Sequence, residues 1–193
     1  MENWGAITFL DYIVLARDGA IAPRDARTVC HEISHMWFGN LVTMEWFSDI
    51  WLNEGFARFC EFRALDHLHP EFHIDVDNVS SVILQAMMVD GRPNTHPIVV
   101  ECPDPDRLEE VFDTISYAKG CSFLRMVYGF MGESKFWTSV REYLKTYEYG
   151  NARSEHLWEV MSKHAPGLDF SHWTLTRGFP VVEVKATEDG ILL

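Results

Sequence analysis

Residues 31–54 read HEISHMWFGNLVTMEWFSDIWLNE, and the first five, His31-Glu32-Ile33-Ser34-His35, decide how the rest is read. On a helix, residues four apart lie on one face, one turn above each other. His31 and His35 therefore aim two imidazole nitrogens at a single point. Two neutral imidazoles suit Zn²⁺, which takes N, O or S ligands in a tetrahedron and keeps one position open in catalytic sites. A third protein ligand is needed, and Glu54, with eighteen residues between it and His35, is the natural candidate. Glu32 is rotated roughly 100° from His31 around the helix, which is too far round for a ligand. It stands at the flank, where it can take a proton from a water on the metal.

Working outward, Pro23 sits where a helix can start, and Arg24 to Phe38 reads as the first helix, with Gly39 closing it. A second helix, Asn53 to His67, carries Glu54 in its first turn, and His69-Pro70 breaks it. Two histidines and two glutamates amid Trp37, Phe38, Trp46, Phe47 and Trp51 would be costly to bury without a cation to satisfy them.

Before this stretch, residues 4–16 (WGAITFLDYIVLA) alternate and are β-branched or aromatic, which predicts a strand or hairpin arm. Asp18-Gly19 marks a turn. Between the two predicted helices, Leu41 to Ile50 reads as a connection. After them, Glu71 to Met88 has apolar residues at helical spacing. Residues 90–106 hold Gly91, Pro93, Pro97, Pro103 and Pro105 and read as a loop. Helices follow at 107–113, 116–131, 133–149, 154–164 and 169–176. Gly178-Phe179-Pro180 stops the series, and residues 181–193 return to strand character around the hairpin-type turn Asp189-Gly190.

The 193 residues predict one domain, or one and a part. A hydrophobic share of 47% with 23% charged residues is ordinary for a globular chain that buries a core. The formal net charge of -13 and the lack of a basic patch exclude nucleic acid as a partner. An acidic surface is compatible with cationic groups such as peptide amino termini. No apolar run reaches about 18 residues, so no transmembrane helix is expected. Met1 is followed by Glu2 and an aromatic stretch, unlike a signal peptide. Cys30, Cys60, Cys102 and Cys121 are widely spaced, which predicts free thiols in a reducing compartment, the cytoplasm.

The run H-E-x-x-H, then W-F-G-N-L-V-T-M-E-W, then W-L-N-E-G-F-A closely resembles the gluzincin zinc aminopeptidases, which include the puromycin-sensitive and membrane alanyl aminopeptidases. Met1-Glu2-Asn3-Trp4-Gly5 looks like the end of that family's G-A-M-E-N-W-G motif, and Trp173-Thr174 with Gly178-Phe179-Pro180 matches its W-T-x-x-x-G-F-P element. The resemblance implies an α+β, mainly helical fold: a thermolysin-like metallopeptidase domain over 1–180, with a small amino-terminal β part and its preceding strands missing. Residues 181–193 would be the first strands of a following β domain. It implies one Zn²⁺ per chain on His31, His35 and Glu54, and Glu32 as general base in cleaving the amino-terminal residue from peptides. Tyr117, in F-D-T-I-S-Y-A-K-G, resembles the family's catalytic tyrosine, a phenol that donates to the developing oxyanion. Glu2 would bind the substrate's free α-ammonium, with Met1 and Asn3 shaping the same strand edge. Missing family domains or a partner chain would complete the molecule.

Other residues carry less. Asp49 or Glu45 is a candidate to orient a zinc histidine from behind. Lys119 reads as a surface ammonium or a helper to the oxyanion. Cys30 reads as core packing, and His67, His69, His73 and His96 as surface or loop histidines. Met36, Cys30 and Phe9-Leu10-Asp11 depart from the family's usual residues, which bears on substrate preference and packing, not on the metal set. Two rival readings stand beside the aminopeptidase. One is a catalytically impaired zinc-binding fragment acting as an interaction subunit. The other is a zinc hydrolase that cleaves internal bonds or resembles the family's epoxide-hydrolase branch.

Overall fold

The computed structural model of the chain describes residues 1–15, 21–102, 104–187 and 190–192. Along it run α1 (Asp11–Val14), α2 (Pro23–Ser34), β1 (Val42–Met44), α3 (Trp51–Leu68), α4 (Ile74–Asp77), α5 (Leu84–Asp90), α6 (Gly120–Met131), α7 (Glu133–Thr146), β2 (Gly150–Ala152), α8 (Ser154–His164), α9 (Phe170–Leu175), β3 (Lys185–Thr187) and β4 (Gly190–Leu192). Two π-helical stretches join this frame: Asn78–Ile83 between α4 and α5, and Ile115–Lys119 in front of α6. The mainly helical α+β class predicted from the sequence is the class found.

The axis of the fold is α3. Residues 51–57 are all buried, so its first two turns meet protein on every side. A helix buried all round belongs in a core rather than on a surface. Along one side lies α2 and along another α6. The approach of α3 to α6 needs two glycines: a Cβ on Gly55 would stand 3.2 Å from the carbonyl carbon of Gly120, and one on Gly120 would stand 3.4 Å from Cα of Gly55. That backbone-to-backbone contact brings the Ile115–Lys119 stretch against the start of α3.

Aromatic packing locks the far side. Trp51 stacks on Trp158 of α8 with ring centroids 5.3 Å apart and meets Phe123 of α6 edge-on at 5.9 Å. Its indole N–H donates to Oγ of Ser154 at 2.9 Å. Asp49 accepts from the amide and the hydroxyl of the same serine, so the first turns of α3 and α8 are joined through one buried hub. β1 and β2 pair in parallel with Val42 opposite Gly150 and Met44 opposite Ala152, which ties the connection between α2 and α3 to the α7–α8 loop.

Several sequence expectations need correcting. Residues 4–10 form no strand, and Asp11–Val14 is a short helix. A turn at Trp4-Gly5, closed by the Ala6 amide on the Asn3 carbonyl at 3.1 Å, breaks the run, and no strand among the described residues pairs with it. β-branched sequence makes a strand only where a neighbour supplies the ladder. The expected Asp18-Gly19 turn lies outside the described residues. α2 ends at Ser34 rather than Phe38, with His35 as its cap. Gly39 adopts φ of 129°, and a Cβ there would crowd Asn53 Nδ2 at 3.1 Å and His35 Nδ1 at 3.4 Å, so glycine is required at the corner that turns the chain back. α3 begins at Trp51, two residues before the expected start. The helix expected over 71–88 begins instead at Ile74, behind the left-handed His73, and runs to Asp90 with a π-helical centre. Residues 181–184 are irregular; β3 and β4 then pair antiparallel, Lys185 opposite Leu192.

Candidate metal centre

His31 comes from the last turn of α2, His35 from its cap, and Glu54 from the first turn of α3. The cap geometry preserves the four-residue relation, since the His35 amide still reaches the His31 carbonyl at 3.3 Å. Nε2 of His31 and Nε2 of His35 are 3.1 Å apart. Oε2 of Glu54 lies 3.2 Å from the first and 3.3 Å from the second. All three residues are buried.

The other face of each ring decides its tautomer. Nδ1 of His35 donates to the Phe38 carbonyl at 2.9 Å, and Nδ1 of His31 donates to Oε2 of Glu61 at 3.0 Å. Neutral rings held this way present bare Nε2 lone pairs to each other and to a carboxylate oxygen. Three acceptors converging in a buried pocket need a cation. A tetrahedral zinc with bonds of 2.0–2.1 Å separates its ligand atoms by about 3.3 Å, which is the spacing found. The residues present fit Zn²⁺.

The charges agree. Burial disfavours a charged His31, but the Glu54 and Glu61 carboxylates outweigh it and raise its pKa from 6.5 to about 9. Burial alone would raise Glu54; its bonds to His31 and His35 lower it to about 2 instead. Without metal, a proton on His31 supplies the positive charge that the pocket demands.

Around this trio stand the other predicted residues. Glu32 is partly buried, and its Oε2 lies 2.9 Å from the backbone nitrogen of Met1. The Tyr117 ring lies nearly parallel to that of His31, centroids 6.1 Å apart. Burial, then the Glu54 carboxylate, then Glu2 and Glu32, push the Tyr117 phenol above its usual range. The Glu2 carbonyl is held by Asn40 Nδ2 at 2.7 Å, which seats residues 1–3 beside the site. Asn3 is exposed, and its carbonyl closes the Trp4-Gly5 turn.

The group that orients a histidine from behind is Glu61, which the sequence reading did not name. It lies seven residues beyond Glu54, two turns along the same face of α3. Arg27 Nε at 3.2 Å and Arg58 at 3.0 Å hold its Oε1. Neither earlier candidate serves: Asp49 is occupied by Ser154, and Glu45 pairs with Arg153 at 3.3 Å. Lys119 is neither a surface ammonium nor an oxyanion helper. It makes a buried ion pair with Asp90 at 2.8 Å and donates to the carbonyls of Thr176 and Gly178. Cys30 packs against the core, and burial followed by Glu61 pushes its thiol up. Of the surrounding aromatics, Phe38 and Trp51 are buried, whereas Trp37 and Trp46 are exposed. His67 and His73 are exposed, and His69 pairs with Glu71 at 3.0 Å. Among the described residues, no helix is long and apolar enough to cross a membrane.

The chain is 39% identical over 99% of its length to the probable aminopeptidase 1 of Saccharolobus solfataricus, covering 25% of that protein. It is 40% identical over 98% of its length to the puromycin-sensitive aminopeptidase of Caenorhabditis elegans, covering 21% of it. It is 41% identical over 97% of its length to a leucyl aminopeptidase of Saccharolobus solfataricus, covering 25% of it. The chain thus spans about a quarter of the length of these relatives. Residues 1–175 match the peptidase family M1 domain, and the chain belongs to that family.

Proposed function

We propose that this chain is the catalytic part of a zinc-dependent aminopeptidase, which removes the amino-terminal residue from peptides. The observation that carries the reading is the convergence of His31 Nε2, His35 Nε2 and Glu54 Oε2 within 3.1 to 3.3 Å of one another, with Glu32 and Tyr117 beside them.

One Zn²⁺ per chain, held by His31, His35 and Glu54, would supply a Lewis acid for the peptide carbonyl and would make the attacking water more acidic. Glu32 accepts the proton as the water attacks and passes it to the departing amine. Tyr117 donates its phenolic hydrogen to the oxygen that gains charge. Its surroundings keep it protonated at working pH, as such a donor must be. Glu2 pairs with the substrate's α-ammonium in a partly buried, charge-assisted bond, and Met1 and Asn3 frame that edge. The ammonium pair favours a free amino terminus over an internal bond. The names of the relatives support the reaction class.

We further propose that residues 1–180 form the catalytic unit and that the β3–β4 hairpin opens a following β unit, with further domains or a partner chain around the site. The four cysteines are free, and burial pushes Cys60 and Cys121 up to about 12, so these two thiols are inert. This supports a reducing compartment, and we place the protein in the cytoplasm.

The test is hydrolysis of an amino-acid arylamide with a free or an acetylated amino group. The free form is expected to turn over, with acetylation costing about a hundredfold or more, because the Glu2 pair is lost. Glu32→Gln is expected to abolish turnover while zinc is retained. Equal cleavage of both substrates would mean an enzyme that does not read the amino terminus. Zinc without turnover in the unaltered chain would favour the zinc-binding interaction subunit.

A further inference from the structure

We infer that His96 and Asp113 are positioning residues for Tyr117, a two-residue clamp on the backbone stretch that carries the phenol. The inference rests on the reading of Tyr117 as the oxyanion donor.

Tyr117 is the central residue of the π-helical stretch Ile115–Lys119. A π turn is rare and frequently occurs at functional sites. Asp113 stands just ahead of it. Its Oδ1 accepts from the amides of Ile115 and Ser116, each at 3.0 Å, and its backbone carbonyl accepts from the Tyr117 amide at 3.1 Å. One residue thereby satisfies three donors at the start of the stretch, which otherwise have no partner within the helix.

The second oxygen of Asp113 fixes its own orientation. Oδ2 lies 2.7 Å from Nε2 of His96, which comes from the loop after α5. Nδ1 of His96 lies 2.7 Å from the Pro97 carbonyl. Both partners are acceptors, so the ring donates to both at once as the imidazolium, the form that Asp113 favours. The tie to Asp113 is therefore a charge-assisted bond, about twice as strong as a neutral one. The mutual shifts agree: Asp113 holds His96 above the usual histidine range, and His96 with the Ser116 amide outweighs burial to hold Asp113 below the carboxylate range.

The far end of the stretch is pinned separately, by the Lys119–Asp90 ion pair and by Gly120 against Gly55. Tyr117 therefore hangs between two anchors. The His96–Asp113 anchor acts through the backbone of Ile115, Ser116 and Tyr117. An oxyanion donor misplaced by about 1 Å forfeits on the order of a hundredfold in rate, so a loosened anchor shows in kcat.

The test uses the zinc-loaded chain with His96→Gln, Asp113→Asn and Tyr117→Phe, singly and with each clamp variant paired with Tyr117→Phe. Turnover of an amino-acid arylamide and amide hydrogen exchange are the readouts. Asp113→Asn keeps an acceptor for the Ile115 and Ser116 amides but loses the charged tie, so it separates capping from the clamp. His96→Gln and Asp113→Asn are each expected to lower kcat about tenfold with KM little changed, and to do so by less than about twofold when Tyr117 is already Phe. Exchange is expected to quicken at Ile115, Ser116 and Tyr117 while α7 and α8 stay protected. Equal losses with and without the phenol, or unchanged exchange at those three amides, would overturn the inference. If Tyr117→Phe alone leaves kcat intact, the oxyanion reading fails, and the exchange result still decides whether the pair holds the stretch.

Discussion

Oε2 of Glu61 lies 3.0 Å from Nδ1 of His31, at the edge of the ring turned away from Glu54. The carboxylate is 1% exposed, and two guanidinium groups balance its charge. It fixes the His31 tautomer so that Nε2 keeps a lone pair free for a metal ion. Glu61→Gln keeps the shape and loses the charge. Zinc affinity is expected to fall about 10- to 100-fold, measured by competition with a chelator. An unchanged affinity would remove Glu61 from the support of the metal.

If His31 holds zinc as proposed, protons and zinc compete for it. Its pKa in the metal-free fold is about 9, raised from 6.5, so its contribution to stability is complete below 6.5 and is lost as pH rises through about 9. Glu54, lowered from 4.5 to about 2, contributes fully above 4.5 and loses its contribution as pH falls through about 2. The metal-free pair is therefore at full strength between pH 4.5 and 6.5. Zinc must displace the His31 proton, so its affinity should climb up to about tenfold per pH unit between 6.5 and 9. Calorimetry in buffers of different ionisation enthalpy would count the protons released. Affinity independent of pH across that window would contradict the assignment.

The contact between Gly55 and Gly120 sets how near Tyr117 comes to Glu54. Gly55→Ala places a Cβ 3.2 Å from the backbone of Gly120, where no side chain can swing aside. The expected cost is about 1–3 kcal/mol in denaturant unfolding, since helix backbones must part. Turnover should fall further than zinc affinity, because the Tyr117 side of the pocket moves while both histidines stay. A neutral effect on stability would show that the helices separate freely.

Tyr117→Phe removes the phenolic hydroxyl and keeps the ring. Its ring still lies nearly parallel to that of His31, so zinc content and stability should barely change. Turnover should drop about 10²- to 10³-fold, mostly in kcat, as expected for an oxyanion donor. Loss of zinc from this variant would instead make the tyrosine part of the metal's housing.

The convergence of His31 and His35 was legible because a helix places residues four apart on one face, and that spacing survives even where α2 stops early. Glu61 was visible in principle as a carboxylate two turns beyond Glu54, but a heptad-spaced glutamate on a helix is usually solvated, and only the depth of α3 made it buried. Asp49 was misread for a related reason: its partner Ser154 lies 105 residues away, and no local pattern shows that pairing. The strand expected over 4–16 failed because β structure depends on a neighbour that a single stretch of sequence does not display. Lys119 looked like surface because its helix boundary was visible and the tertiary partner Asp90 was not. Local periodicity gave the helices, and long-range pairing decided which polar residues were structural.

The central claim is that His31, His35 and Glu54 together hold one zinc ion. The most direct measurement is zinc per chain by mass spectrometry after exhaustive dialysis, for the unaltered chain, Glu32→Gln and Glu54→Ala. The expected result is about one zinc in the first two and about a tenth or less in the third, because an open two-histidine site binds weakly. Zinc retained in full by Glu54→Ala, or absent from the unaltered chain, would contradict it.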